Sequence, residues 1–373
     1  MDPTISRVEC WVLRAPVTDA VTNSFGAMTN RPALFLRISA SDGAWGWGEA
    51  FCNFPQIGAE HRARLVESIF APLLKDVATS PDEVRTMLER RTRQIAIQCG
   101  EPGPFAQIIG GIDQALWDLS ARRAGLPLWR HLGGRSGSVN VYASGLGPDR
   151  VTDMALLKRA EGFRAFKLKV GFGADRDHAN LASLRSVLGE HATIMTDANQ
   201  AWSPDEAPAR IDKLAPFRPH WIEEPILADH PLNVWRKLAS ASAIPIAAGE
   251  NIRGVDAFDA AIEAGLAFVQ PDVGKWGGIG GCREVALRAA AHGATFCPHW
   301  LAGGVGLAAS LHLLAAVGTG ESYAEVDANP NPLREEVFPM SIEQGAVTLG
   351  DAPGLGVEPD LRRLSSLIVM GPR

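Results

Sequence analysis

Residues 165–171 read AFKLKVG, 193–199 TIMTDAN, 221–225 WIEEP and 245–250 PIAAGE, and these four short runs decide the fold. Each is an apolar stretch of strand length that closes on a charged residue: Lys169, Asp197, Glu223 and Glu250. FVQPDV, TFCPHW and SYAEVD repeat the form, carrying Asp272, His299 and Glu325, and VNVYASG (139–145) precedes them all. From Lys169 to Glu325 the successive charged positions are 28, 26, 27, 22, 27 and 26 residues apart, with alanine- and leucine-rich helical stretches between them. A period of about 26 residues holds one strand, two short loops and one helix, which is a βα unit. Eight such strands, apolar enough to be buried on both faces, predict a closed parallel barrel. Parallel strands all point the same way, so the charged ends converge on one mouth.

Outside the repeat the texture differs. VECWVLRAP (8–16), ALFLRISA (33–40) and WGWGEAF (45–51) are strand-like, and Asp42-Gly43 is a hairpin signal, so an antiparallel meander is expected. The segment between the first two runs, TDAVTNSFGAMTNRP, is polar and aperiodic and reads as a long loop, of the kind that is usually disordered or functional. Residues 58–125 carry helical periodicity, with Leu65, Ile69 and Leu73 on apolar faces. GGIDQALWDLSARRAGLPLWRHLGG reads as one amphipathic helix ending near Gly125 and a shorter one ending at Gly133-Gly134. From about Glu336 strand-and-turn character returns. The expected organisation is an α+β capping domain over 1–125, a barrel over 126–335 and a tail over 336–373 that packs back on the cap.

Composition narrows the function. The 373 residues are 46% hydrophobic with a net charge of −6 and no basic block, which gives nucleic-acid binding little electrostatic support. Five scattered cysteines, none in a C-x-x-C pair, read as packing thiols and not as a disulfide or zinc framework. The opening MDPTISRVECWVLRAP lacks a signal-peptide pattern, and no apolar run approaches the roughly 18–20 residues of a membrane span. A cytoplasmic protein is expected, with a small carboxylate substrate and further copies of itself as partners.

Asp197, Glu223 and Glu250 end three consecutive strands. An all-oxygen anionic set without neighbouring His or Cys suits a hard cation, Mg²⁺ before Zn²⁺. The structural alternative is ion pairing with Lys167, Lys169 and Lys275. Lys167 and Lys169, two apart on one strand, face the same side, and crowding the two cations is expected to lower the pKa of one and prepare a base. Alternatively Lys167 binds the substrate carboxylate while Lys169 moves the proton. His299 lies one unit after Asp272, so the Asp can orient and charge the imidazole. Lys275 follows Asp272 by three residues and could open the next loop. Glu325 could donate a hydrogen bond to a developing enolate if it stays protonated. His292 and His312 sit on helical stretches and read as structural. GGIGG lacks the Lys-Ser/Thr of a phosphate loop, and G-x-S-x-G and H-E-x-x-H are missing.

The succession K-x-K, D-A-N, E-E-P, G-E, P-D-x-x-K-x-G-G and P-H resembles the mandelate racemase branch of the enolase superfamily. GWGEA (46–50) and ALWDLSARRAGLPLWRHLGG (115–134) resemble that superfamily's capping-domain hallmarks, so the likeness spans nearly the whole chain. It implies a (β/α)7β modified TIM barrel with an α+β cap. It further implies Asp197, Glu223 and Glu250 as Mg²⁺ ligands, Lys169 as base on one face with Lys167 beside it, and the Asp272–His299 dyad on the other. Glu325 would face the enolate. Apart from the resemblance, Asn199 and Lys275 are expected to contact the substrate. The muconate-lactonizing branch carries a lysine where Asp272 stands. The run CPHWLAGGVGLAASLHL is closer to members acting on sugar acids or their lactones.

The reaction expected is removal of the proton next to a carboxylate through an enediolate. A 3-hydroxyl leaving as water makes a dehydratase, which is the first expectation. Reprotonation makes a racemase or epimerase, and a ring oxygen as leaving group makes a lactone cycloisomerase. Segment 16–32 is expected to close over the mouth, with Arg31 or Asn23 at the distal end of the substrate. A catalytically silent metal-binding barrel and a divalent-metal hydrolase are the readings from other classes.

Overall fold

The computed structural model describes residues 3–23 and 26–372. The chain opens with three antiparallel strands, β1 (Ile5–Asn23), β2 (Gly26–Ala40) and β3 (Trp45–Ala50). Helices follow, the longest over Pro81–Gln98 and Pro102–Arg123. Val12, Leu34 and Leu36 pack with Phe70, Leu88, Ile112 and Leu116 into one core. The alternation in WGWGEA explains how strand and helix come so close. A Cβ on Gly46 would lie 2.1 Å from the Ala115 carbonyl oxygen, and one on Gly48 2.0 Å from that of Gly111. Only glycine admits the helix backbone there. The residues between, Trp47 and Glu49, are buried on the opposite face.

One sequence expectation is corrected here. Residues 18–23 and 26–32 are not a loop; they belong to the β1–β2 pair, with Pro16↔Asn30, Val21↔Met28 and Asn23↔Gly26 in register. No apolar alternation marks these strands in the sequence; besides the backbone pairing, Arg14 Nη1 donates to Asn30 Oδ1 at 2.8 Å and Arg31 pairs with Asp327.

Eight parallel strands then form the barrel: β4 (Ser138–Leu146), β5 (Ala165–Lys169), β6 (Thr193–Asp197), β7 (Ile222–Glu223), β8 (Ile246–Ala248), β9 (Phe268–Val269), β10 (Thr295–Phe296) and β11 (Ala324–Asp327). They pair in the order β10-β9-β8-β7-β6-β5-β4-β11, with helices of eight to fifteen residues after each of the first seven. This is the (β/α)7β modified TIM barrel under an α+β cap. In the tail, β12 (Ala346–Thr348) pairs antiparallel with β4, and β13 (Ile368–Met370) pairs with β1 of the cap.

The barrel interior is layered. Tyr142, Ala165, Met195, Trp221, Ala247, Phe268 and Cys297 form a buried floor, with Tyr323 packed against it. Trp221 meets Tyr142 edge-on at 5.5 Å and lies 4.9 Å from Phe268. Two residues further along a strand the chain returns to the same face. The next layer toward the strand ends is therefore Ser144, Lys167, Asp197, Glu223, Gly249, Gln270, His299 and Glu325. Gly249 is the one position in that layer without a side chain. Its φ is +149°, and a Cβ there would lie 2.6 Å from the Gln270 backbone nitrogen. Gly249→Ala is expected to cost at least ~2 kcal/mol of stability through forced backbone conformation and clash. Urea unfolding followed by circular dichroism checks this; an unchanged midpoint would show that the β8–β9 seam can open.

Candidate active site

Each charged side chain of the upper layer is held by its neighbours across strands. Lys167, fully buried, places Nζ 2.8 Å from both oxygens of Glu223, 2.8 Å from Glu325 Oε1 and 3.5 Å from Asp197 Oδ2. Its ammonium also stands 5.3 Å over the Tyr142 ring of the floor. Lys169 Nζ lies 2.5 Å from Asp197 Oδ2. Asp197 and Glu223 are register partners on β6 and β7. Asn199 donates its backbone N–H to Asp197 Oδ1 at 2.8 Å, in the left-handed region at φ +43°. On the far side His299 Nδ1 lies 2.6 Å from Asp272 Oδ2, and its Nε2 lies 2.7 Å from Glu250 Oε2. Asp272 is fixed in turn by backbone N–H groups of Gly274 and Lys275, at 2.8 and 3.0 Å. Lys275 reaches Glu250 Oε2 at 2.9 Å.

The electrostatics follow from this crowding. Burial alone would discharge His299, but Glu250 and Glu325, with the Asp272 bond, outweigh it and hold the imidazole well above its ordinary pKa. Burial also opposes the charge on Glu250, yet His299 and Lys275 keep it well below the carboxylate range. Burial and Asp197 push Glu223 up to about 7 against the pull of Lys167.

Two expectations change. The Lys169 ammonium is raised, because Asp197 outweighs both burial and the repulsion from Lys167. Glu325, despite burial, is drawn down to about 2 by Lys167, His299 and Lys169. It is an anion that accepts from Ser144 Oγ and from the Trp300 N–H, so it is not a hydrogen-bond donor in this arrangement.

Lys169, Asn199, Glu250, Lys275 and His299 line one cavity of about 260 Å³, to which the cap adds Phe51, Asn53, Phe54 and Gln107. Lys167, Asp197, Glu223, Asp272 and Glu325 lie just beneath. Arg31 is not brought to it: the guanidinium is buried against Asp327 Oδ2 at 2.5 Å, tying the β1–β2 hairpin to β11. Asn23 ends β1, and its side chain lies outside the described residues. His312 accepts the Trp129 backbone N–H and His292 bonds the Arg288 carbonyl, both in the helical layer.

The sequence reading passed over several contributors. Gln270 donates to Glu223 Oε2 at 2.7 Å, and Asn251 donates to both oxygens of buried Glu224 at 3.0 Å. Position within the strand, two residues past the floor, would have found Ser144 and Gln270. Glu49 is the third omission. Fully buried on β3, it accepts backbone N–H groups of Gly303 and Gly306 at 2.6 and 2.9 Å, fastening the cap to the start of the helix Gly304–Val317 that follows His299. Burial pushes its carboxyl up to about 8, opposed by those two bonds, and burial likewise pushes Asp113 up to about 8. A carboxyl raised by folding contributes stability that is full below its unfolded pKa near 4 and lost as pH climbs through the folded value. The urea midpoint is therefore expected to fall between pH 5 and pH 8.5, and Glu49→Gln to flatten that slope. An equal slope in the variant would remove Glu49 from the account.

Among the described residues no three His, Cys, Asp or Glu groups form a finished metal cage. Lys167, Lys169, Lys275 and His299 occupy the carboxylate oxygens instead. The donor chemistry nonetheless fits a hard divalent cation: Asp197, Glu223 and Glu250 are three oxygen-only anions at adjacent strand ends, largely buried and costly to leave unmatched.

The barrel, its cap and the order of charged strand ends are those of the enolase superfamily. Residues 6–133 match the mandelate racemase/muconate lactonizing enzyme N-terminal domain, and residues 150–363 match the enolase C-terminal domain-like family. The chain belongs to the mandelate racemase/muconate lactonizing enzyme family and is an enzyme of the enolase type, a lyase or isomerase. It is 33% identical to D-galactarolactone cycloisomerase of Agrobacterium fabrum over 88% of this chain and 89% of that one. A mandelate racemase/muconate lactonizing enzyme structure from Bordetella bronchiseptica superimposes with a TM-score of 0.93 at 48% identity, covering 98% and 100% of the two chains. The L-talarate/galactarate dehydratase of Salmonella typhimurium, solved with Mg and L-lyxarohydroxamate, gives a TM-score of 0.88 at 27% identity, covering 100% and 94%. No helix among the described residues is long and apolar enough to cross a membrane.

Proposed function

We propose that this protein is a Mg²⁺-dependent sugar-acid dehydratase, which removes the α-proton of the acid and expels its 3-hydroxyl to leave a 2-keto-3-deoxy acid. The observation that carries the reading is the pairing of Lys169 with the Asp272-bound His299 in one cavity, beside Glu250 and above Asp197 and Glu223. Asp197, Glu223 and Glu250 would hold the cation. Bound there, it supplies positive charge to the substrate carboxylate and its enediolate, and neutralises the anion that keeps Lys169 protonated.

The remaining work falls to side chains of this chain. Lys167, a cation locked between Glu223 and Glu325, adds fixed positive charge beneath the reacting carboxylate. Burial and Lys167 both favour the neutral amine of Lys169, which takes the α-proton. His299 is held charged and oriented by Asp272, so its proton is available to the departing hydroxyl. One water is lost for each keto acid formed.

A second reading has its own support, since the 33% identical relative is named as a lactone cycloisomerase. There the same proton abstraction expels a ring oxygen. The two differ in mass balance: dehydration removes a water, while ring opening conserves composition.

The test is a panel of sugar mono- and diacids and their lactones, incubated with protein and Mg²⁺ in D₂O. NMR reads α-proton exchange, and mass spectrometry reads loss of water. Dehydration of an open-chain acid is the expected result, and no exchange with any member would leave a silent barrel. Dialysis against EDTA is expected to remove at least 99% of turnover, with Mg²⁺ restoring it. Full activity after dialysis, verified metal-free by elemental analysis, would overturn the metal's part.

A further inference from the structure

We infer that Arg253 binds a second anionic group of the substrate, so that the preferred substrate is a diacid. This rests on the sugar-acid reading and narrows it. Arg253 lies on the loop after β8, three residues past Glu250, and lines the same cavity as Lys169, Lys275 and His299. Each of the other three cations already meets a carboxylate of the protein: Lys169 with Asp197, Lys275 with Glu250, and His299 with Asp272 and Glu250. Arg253 has no carboxylate within ion-pair distance among the described residues. It is thus the cavity's one unmatched positive charge there.

Its position assigns it to the far end of the substrate. The reacting carboxylate belongs beside Lys169 and Glu250, where the acidic strand ends converge. Arg253 instead reaches toward the cap: its Nη1 would lie 3.7 Å from a Cβ built on Gly103, in the first turn of the Pro102–Arg123 helix. It also forms, with Asn251, the partition to a neighbouring cavity of about 270 Å³. A guanidinium offers paired N–H donors that match the two oxygens of a carboxylate, and a hydroxymethyl terminus cannot complete that match. Arg253 is exposed at the cavity rim, so the discrimination comes from this paired hydrogen-bond geometry more than from shielding.

Matched substrates test this directly: six-carbon aldarates against the aldonates that differ only in a terminal CH₂OH. The wild-type enzyme is expected to favour diacids in kcat/KM. Arg253→Gln should lower the diacid-to-monoacid ratio by about 10- to 100-fold, mainly through KM, with partial return in Arg253→Lys. The same panel is followed by thermal shift with Mg²⁺ present, which reads binding without turnover. Diacid-selective stabilisation that disappears in Arg253→Gln would uphold the inference even if no acid reacted, and would then count against the dehydratase reading alone. Monoacid preference in the wild type, or an equal loss for both classes in the variant, would overturn it. No diacid-selective effect in either measurement would overturn it as well.

Discussion

Lys169→Ala should lose α-proton exchange and keto-acid formation together, each by at least ~10³-fold, while the protein stays folded. The size of the effect follows from the absence of a substitute. The other amine at Asp197 is Lys167 Nζ, which is buried and bonded to both oxygens of Glu223 and to Glu325. Its pKa is raised well above that of a free lysine, since the carboxylates outweigh burial, so it cannot take over as base. Exchange of the solvent deuteron into substrate, read by NMR, isolates this half of the reaction. Retained exchange in Lys169→Ala would move the base to the other face.

The second large effect separates the halves. His299→Asn should reduce product formation by about 10³-fold yet leave α-proton exchange within about tenfold of wild type. The asparagine fills similar space and can still bond Asp272, but it carries no proton to give to a leaving hydroxyl. The imidazole is charged because Glu250 and Glu325 face it and Asp272 holds Nδ1, so wild-type turnover draws on a ready acid. Equal loss of exchange and product would mean that His299 takes the first proton, and that the substrate presents the opposite face to Lys169.

How much of this could be read from the sequence depended on distance along the chain. The βα period located Lys169, Asp197, Glu223, Glu250, Asp272, His299 and Glu325, because strand alternation and strand polarity are local rules. Gln270 and Ser144 obey the same alternation but are uncharged, so they did not stand out. The charge state of Glu325 was beyond reach, since it is set by Lys167 and Lys169 on β5 and His299 after β10. Arg31 shows the same limit more sharply: its partner Asp327 is 296 residues away, and nothing near Arg31 in sequence announces a buried ion pair. Residues 18–23 and 26–32 read as a loop because no apolar alternation in the sequence marks them as strands.

The pairing of β13 with β1 has a consequence for the order in which the molecule can be completed. During synthesis the first sheet must wait with one edge of β1 unsatisfied until residues 368–370 emerge, after the whole barrel has been made. A chain still on the ribosome therefore carries an open strand edge at its beginning, which invites pairing with the wrong neighbour. The first sheet is thus completed by a strand that follows the whole barrel in sequence.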